Sequence, residues 1–408
     1  MTVRQNEVSH GLTPFRLERY FAQYEFNEGI KVLCNSDCEP YKMQEVVQMA
    51  RDNNPKLADM WDNLSLGYTE SGGRHELVAE IKKLYTTDPN VVVVTPEEGI
   101  YLSMRALLNK GDEIVVAFPN YQSLSEIAVA IGCDVKRWMP DFLPDGSIRF
   151  NVDALKGLVT EKTKLIVFNF PHNPSGHLLT KEEQASVIDI AKEVNAWVFS
   201  DEMYRGLEFT PEDQLPAICD LGYDRAVLLS GMSKTYALPG IRLGWIATPN
   251  AWLAAEVLTL KDYTTICPPA PSEVLGLIAL TNGPAIIARN LDVIKTSLAA
   301  VQTFMDNHKD ILIWKAPMSG SIGWPLIHPD AKMMVDGSPV PATARLLCDT
   351  LAEKHSILLL PGDLFVSSNL SPETAAACSQ HFRFGLGRTD TVENIDLLEK
   401  VIRKVLFV

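Results

Sequence analysis

Five short apolar runs limit what this chain can fold into: Val91-Val-Val-Val-Thr95, Glu113-Ile-Val-Val-Ala117, Lys164-Leu-Ile-Val-Phe168, Ala196-Trp-Val-Phe-Ser200 and Arg225-Ala-Val-Leu-Leu229. Each is short for a helix and apolar on successive residues, so a strand made of it needs cover on both faces. Longer stretches with helical spacing lie between several of them. That alternation predicts a mostly parallel, buried sheet with crossover helices. In such sheets ligands collect at the carboxyl ends of the strands. The residues of chemical interest fall there, just after the runs.

A length of 408 residues suits two or so domains with ample core. The balance of 37 basic against 51 acidic residues, a net charge of −14, argues against a nucleic-acid surface. No uninterrupted apolar run approaches the ~20 residues of a membrane span. Residues Met1 to Glu7 lack the apolar segment of a secretory leader. Seven cysteines without a CxxC pair read as reduced thiols of a cytoplasmic protein with no metal site.

The densest chemistry lies after the fifth run, in Leu229-Ser-Gly-Met-Ser-Lys234-Thr-Tyr-Ala-Leu-Pro-Gly-Ile-Arg242-Leu-Gly-Trp245. A lysine among small residues can form a Schiff base if its surroundings take its proton. The arginine beyond the Pro-Gly turn offers a fork suited to phosphate. After the fourth run comes Ser200-Asp201-Glu202-Met203-Tyr204, and a buried carboxylate such as Asp201 needs a cation. After the third comes Asn169-Phe-Pro-His172-Asn173-Pro174-Ser-Gly176, and after the second Phe118-Pro119-Asn-Tyr121. After the first, Thr95-Pro96-Glu97-Glu98-Gly99-Ile100 combines a capping box with a first-turn proline, so a helix begins there whose free N–H groups can hold an anion.

Asn173, Asp201, Tyr204, Lys234 and Arg242, in that order, resemble the cofactor set of the class I/II aminotransferases, the fold-type I pyridoxal-phosphate (PLP) enzymes. The resemblance spans roughly residues 30–405. It implies an α/β fold with a mostly parallel seven-stranded sheet between helices and a smaller α/β domain built from both termini. The division expected is 1–50 for an N-terminal arm and part of the small domain, 51–300 for the large PLP-binding domain and 301–408 for the small C-terminal domain.

The resemblance also implies roles. Lys234 would carry PLP and act as base, Asp201 would hold the proton on the ring nitrogen, and Asn173 and Tyr204 would flank the phenolic oxygen. Tyr121 would stack on the ring. Arg242, Ser233 and backbone donors near Gly99 and Ile100 would hold the phosphate; the serine the family often places three residues before the lysine is Gly231 here. Tyr68 and Thr265 would reach the phosphate of a second subunit, implying a homodimer with shared active sites. Arg383 would clamp the substrate α-carboxylate, with Asn173 beside it and Cys38 where the family often has glycine. The implied reaction moves an amino group between an amino acid and a 2-oxo acid. Elimination, replacement, cyclisation or oxidation of an amino acid on the same scaffold is the alternative. His172 is expected to pack, Glu202 to be structural, and Arg388 to be a charge at the start of the last helix.

Overall fold

The computed structural model describes residues 11–366 and 372–408. The expectation about residues 1–7, and the first ten residues of the arm, lie outside the described residues. Seven strands form the central sheet: β1 Asn90–Val94, β2 Glu113–Ala117, β3 Asp134–Trp138, β4 Thr163–Asn169, β5 Trp197–Asp201, β6 Ala226–Gly231 and β7 Gly244–Thr248. Their order is β1-β7-β6-β5-β4-β2-β3, and β7 alone runs antiparallel to its neighbours.

All five apolar runs are strands. The other two strands carry weaker patterns. β3, Asp134-Val-Lys-Arg-Trp138, lies at the sheet edge, where polar residues are tolerated. β7 opens on Gly244, and the loop before it holds only the short turn Pro239–Ile241. Without a crossover helix the chain turns straight back, and the pairing is antiparallel.

Successive strand residues point to opposite faces. Val92, Ile114, Val116, Val167, Phe199 and Leu229 pack on one side, and Val93, Val115, Ile166, Val198, Leu228 and Trp245 on the other. Burial on both faces is why the runs lack polar alternation. β4 and β5 end side by side, with Asn169 opposite Asp201.

Both termini build a second body of structure. Helix Arg16–Tyr24 buries Leu17, Tyr20 and Tyr24 among Leu358, Leu360, Leu364 and Phe365. Lys31–Val32 pairs parallel with Ile357–Leu358. Strand Phe382–Gly385 pairs with Ile322–Gly323 on one side and Leu360–Pro361 on the other. The helical stretch that follows β7 and its loop includes Ala270–Thr281 and Gly283–Asn307, bent by 79°. Gly283-Pro284 interrupts it, as a proline inside a helix must. Helix Ala344–His355 is capped by the Thr343 hydroxyl, which accepts the Leu346 N–H at 3.2 Å. Pro341 belongs to the hairpin Lys332–Val335 with Ser338–Pro341.

Candidate active site

Lys234 lies three residues beyond β6 in a loop held by its own backbone: Met232 N–H donates to Leu243 O at 2.9 Å, and Leu238 N–H to Met232 O at 2.9 Å. The Lys234 amine donates to the Ser36 hydroxyl at 2.8 Å, and Ser36 also hydrogen-bonds the Tyr204 hydroxyl. Burial depresses the amine's pKa, the Arg383 and Arg242 guanidiniums push the same way, and Asp37 and Cys38 oppose them. An amine so placed sheds its proton more readily than a surface lysine, as a nucleophile or base must.

Asp201 ends β5 and is 6% exposed. Burial raises its pKa to about 7, against the Met203 N–H, which donates to Oδ1 at 3.1 Å, and the attraction of Lys234. Among the described residues no cation lies within ion-pair distance of it. Asn169 braces this corner: its amide nitrogen donates to Asp201 O at 2.7 Å and its Oδ1 accepts the Asn173 N–H at 2.8 Å.

Arg383 faces the same space from strand Phe382–Gly385 and is 2% exposed. Nε and Nη2 donate to Cys34 O at 3.2 and 2.8 Å, and Nη1 donates to Asn173 Oδ1 at 3.1 Å. Among the described residues no carboxylate forms an ion pair with it. Burial lowers its pKa despite the neighbouring Tyr204, Cys34 and Asp37. The buried Arg383 guanidinium and the ionised form of the buried Asp201 carboxyl thus each lack a counter-ion among the described residues. A ligand that is cationic near Asp201 and carries a carboxylate near Arg383 resolves both. A protonated pyridine ring bearing an amino acid has that pattern, so the residues present fit PLP.

Tyr121 is half-buried; its ring centroid is 5.0 Å from that of Phe15 in the arm, and its hydroxyl bonds Glu97. Arg242 adopts φ 53°, donates from Nη1 to Pro239 O at 2.8 Å, and lines a cavity of about 790 Å³ with Tyr68, Thr95, Glu98, Lys261 and Thr265. Tyr68 is 91% exposed at its rim. Ser233 is buried beside the lysine.

The remaining expected residues are largely engaged within their own chain. Gly99 cannot offer its N–H to an anion, because it donates to Thr95 O at 2.9 Å, and Ile100 lies deeper in the same helix, Pro96–Leu107. The N–H groups ahead of the helical ladder are those of Glu97 and Glu98. Cys38 is fully enclosed in the core, where burial raises its thiol to about 12, so only its backbone can face the site. The Thr265 hydroxyl is engaged within its own chain, 2.8 Å from Glu98 Oε1 and 2.9 Å from Lys261 Nζ. Arg388 is no helix-start charge: Nη2 lies 2.9 Å from Asp37 Oδ2, tying the loop that carries Ser36 to the C-terminal segment.

Glu202 accepts from Ser200 Oγ and the Ile218 N–H, a structural role. His172 lies between the Pro119 carbonyl and the Ser175 hydroxyl, with Phe150 and Phe170 around it; burial lowers its pKa to about 3, and it packs. The residues not anticipated are Ser36, Asp37, Asn169 and Glu97 in its bond to Tyr121. Asn169 heads a motif already singled out. Nothing local marks Ser36, which meets Lys234 across 198 residues of chain.

The chain matches the family Aminotransferase class I and II over residues 33–397. It is 29% identical over 315 residues to a capreomycidine synthase of Streptomyces vinaceus, covering 74% of this chain and 75% of that protein. It is 28% identical over 303 residues to an arginine–pyruvate transaminase of Pseudomonas aeruginosa, covering 72% and 70%. Its fold matches the crystal structure of a PLP-dependent aminotransferase from Streptococcus suis with a TM-score of 0.83 at 24% identity, over 97% of this chain and 98% of that one.

Proposed function

The chain belongs to the class I and II aminotransferase family, and from that premise we propose how its own residues carry the reaction. The enzyme uses pyridoxal 5′-phosphate and transfers an amino group between an amino acid and a 2-oxo acid. When bound, the cofactor draws electrons from the substrate Cα. Lys234 would hold it, and its amine would take the Cα proton as general base. Ser36 and Tyr204 orient that amine. Arg383 and the Asn173 amide fix the α-carboxylate, which sets the Cα–H bond toward Lys234. Asp201 keeps a proton on the ring nitrogen. Arg242, Ser233 and the Glu97 and Glu98 N–H groups hold the phosphate at the end of helix Pro96–Leu107. The observation that carries this reading is the pair of buried ionisable groups without a counter-ion among the described residues, Asp201 and Arg383.

The chain works as a homodimer in this reading. Leu66 and Tyr68 are exposed where they line the 790 Å³ cavity with Thr265 and Cys267, and Tyr263 and Ile266 in the same segment as Thr265 are exposed too, apolar surface that suits a second copy. Tyr68 then reaches the partner's phosphate. Seven free cysteines suit a reducing, cytoplasmic setting.

Mixing the PLP-loaded enzyme with one amino acid tests the reaction. Transamination converts the cofactor to its amine form and stops until a 2-oxo acid is added. The likeness to a capreomycidine synthase favours cyclisation as the second reading; in that case the cofactor returns to its starting spectrum without a 2-oxo acid.

A further inference from the structure

A cavity of about 520 Å³ opens between helix Pro96–Leu107, the arm and the segment that follows β2. Phe15 lines it, and its ring centroid lies 5.0 Å from that of Tyr121, the residue expected to stack on the cofactor ring. Thr95, Glu98 and Thr265 line both this cavity and the one of about 790 Å³ that Arg242 lines, so the two are neighbours. Three half-buried glutamates, Glu97, Glu98 and Glu126, line the smaller cavity, and among the described residues no lysine, arginine or histidine does. Arg242 and Lys261 belong to the wall of the larger one, where Lys261 Nζ meets the Thr265 hydroxyl at 2.9 Å.

Elsewhere in the chain half-buried carboxylates find a cation: Glu113 lies 2.7 Å from Lys136 Nζ, and Asp363 lies 2.9 Å from Arg345 Nη2. Around this cavity only hydroxyls and one backbone N–H serve. Glu126 Oε1 accepts the Thr13 hydroxyl at 2.7 Å. Glu98 Oε2 accepts the Thr95 N–H at 3.1 Å, and its Oε1 meets the hydroxyls of Thr264 and Thr265. Ser123 lines the same cavity at 4% exposure, and its buried hydroxyl has no hydrogen-bond partner among the described residues.

We propose that this cavity receives the far end of the amino-acid substrate, and that this end is a cation, an ammonium or guanidinium group on a carbon stem. The inference rests on the reading of Lys234 and Arg383 as the reacting site, and it names the class of amino acid that the site selects. Like charges held together out of water repel, and an entering cation relieves that repulsion. The Ser123 oxygen accepts an N–H from the same group, and the rings of Phe15 and Tyr101 offer faces on which a cation rests. A substrate ending in a carboxylate adds one more like charge and is rejected.

The test compares amino acids that differ only at the far end: arginine with its uncharged urea analogue citrulline, and lysine with norleucine, with glutamate as the opposite charge. Each is mixed with the PLP-loaded enzyme, and the saturation of the absorbance change gives KM and the maximal rate. Arginine or lysine should surpass its neutral partner by roughly 10- to 100-fold, the scale of a hydrogen-bonded charge, with most of the difference in KM. Whichever of the two does so tells guanidinium from ammonium. Glu126→Gln keeps an acceptor for Thr13 and removes a charge, so it should shrink that ratio about 10-fold. Calorimetry on the cofactor-stripped full chain gives a readout apart from turnover: the cationic amino acid should bind more tightly than its neutral partner, and the variant should lose that margin. Equal KM and equal affinity for charged and neutral partners, or a ratio that Glu126→Gln leaves unchanged, overturns the cation pocket and leaves the site reading standing. A cofactor spectrum that no amino acid changes overturns both.

Discussion

The Lys234 amine donates to the Ser36 hydroxyl at 2.8 Å, joining the loop after β6 to the segment that follows Lys31–Val32. The bond spans the two bodies of the molecule and passes on to the Tyr204 hydroxyl. Ser36 is itself held: Ser321 donates to its carbonyl at 2.7 Å, and the next residue, Asp37, pairs with Arg388. Ser36→Ala should lower kcat about 10-fold with little change in KM, because the amine loses its aim rather than its charge. Steady-state kinetics across pH checks this; unchanged kcat would remove Ser36 from the mechanism.

Asp201 makes the cofactor-free protein sensitive to pH. Its folded pKa of about 7 lies above the ordinary 3.8, so the folded chain keeps a proton that the unfolded chain releases. The stability it contributes is complete below about pH 4 and is lost as pH rises through 7, by about 1.4 kcal/mol for each pH unit crossed between those two values. Denaturant unfolding of the stripped protein at about pH 5 and about pH 8 should show a smaller difference for Asp201→Asn than for wild type. The same substitution should leave an enzyme that binds PLP but turns over slowly.

Arg383 is buried with its fork toward Asn173 and no acid partner among the described residues. Lysine keeps the charge and loses the fork. Arg383→Lys should raise KM for amino acid and 2-oxo acid by roughly 10- to 100-fold, the scale of a buried charged contact, while PLP absorbance stays normal. A KM unchanged for both substrates would place the carboxylate elsewhere.

Position 231 cannot accept the serine common in the family. A Cβ there would lie 2.9 Å from both Gly244 Cα and Leu243 O, where β6 and β7 pair. Gly231→Ser should destabilise the protein by about 1–3 kcal/mol through overpacking, read as a lower denaturant midpoint. A midpoint equal to wild type would mean that the strands part freely at this point.

The sheet was legible because strands buried on both faces leave uninterrupted apolar runs, as Ile114 to Val116 and Leu165 to Phe168 do. β3 left no such mark, being an edge with Lys136 and Arg137, and β7, Gly244-Trp-Ile-Ala-Thr248, is apolar but short and opens on a glycine directly after the lysine loop. Lys234, Asp201, Asn173 and Arg242 could be picked out because each sits at a strand end or the turn beyond it. Ser36, Asp37 and Arg388 could not, since their bonds cross from one end of the chain to the other. Glu98 could be read as the capping partner of Thr95, but its contacts with Thr264 and Thr265 come from far along the chain and left no local mark.

The central claim is that Lys234 is the amine that carries the cofactor. Reducing the PLP-loaded protein with borohydride, digesting it and weighing the peptides tests that directly. The pyridoxyl group should sit on the peptide containing Lys234 and nowhere else, and Lys234→Ala should yield no labelled peptide and no turnover. A label on another lysine, such as Lys261, or an active Lys234→Ala variant would contradict the account.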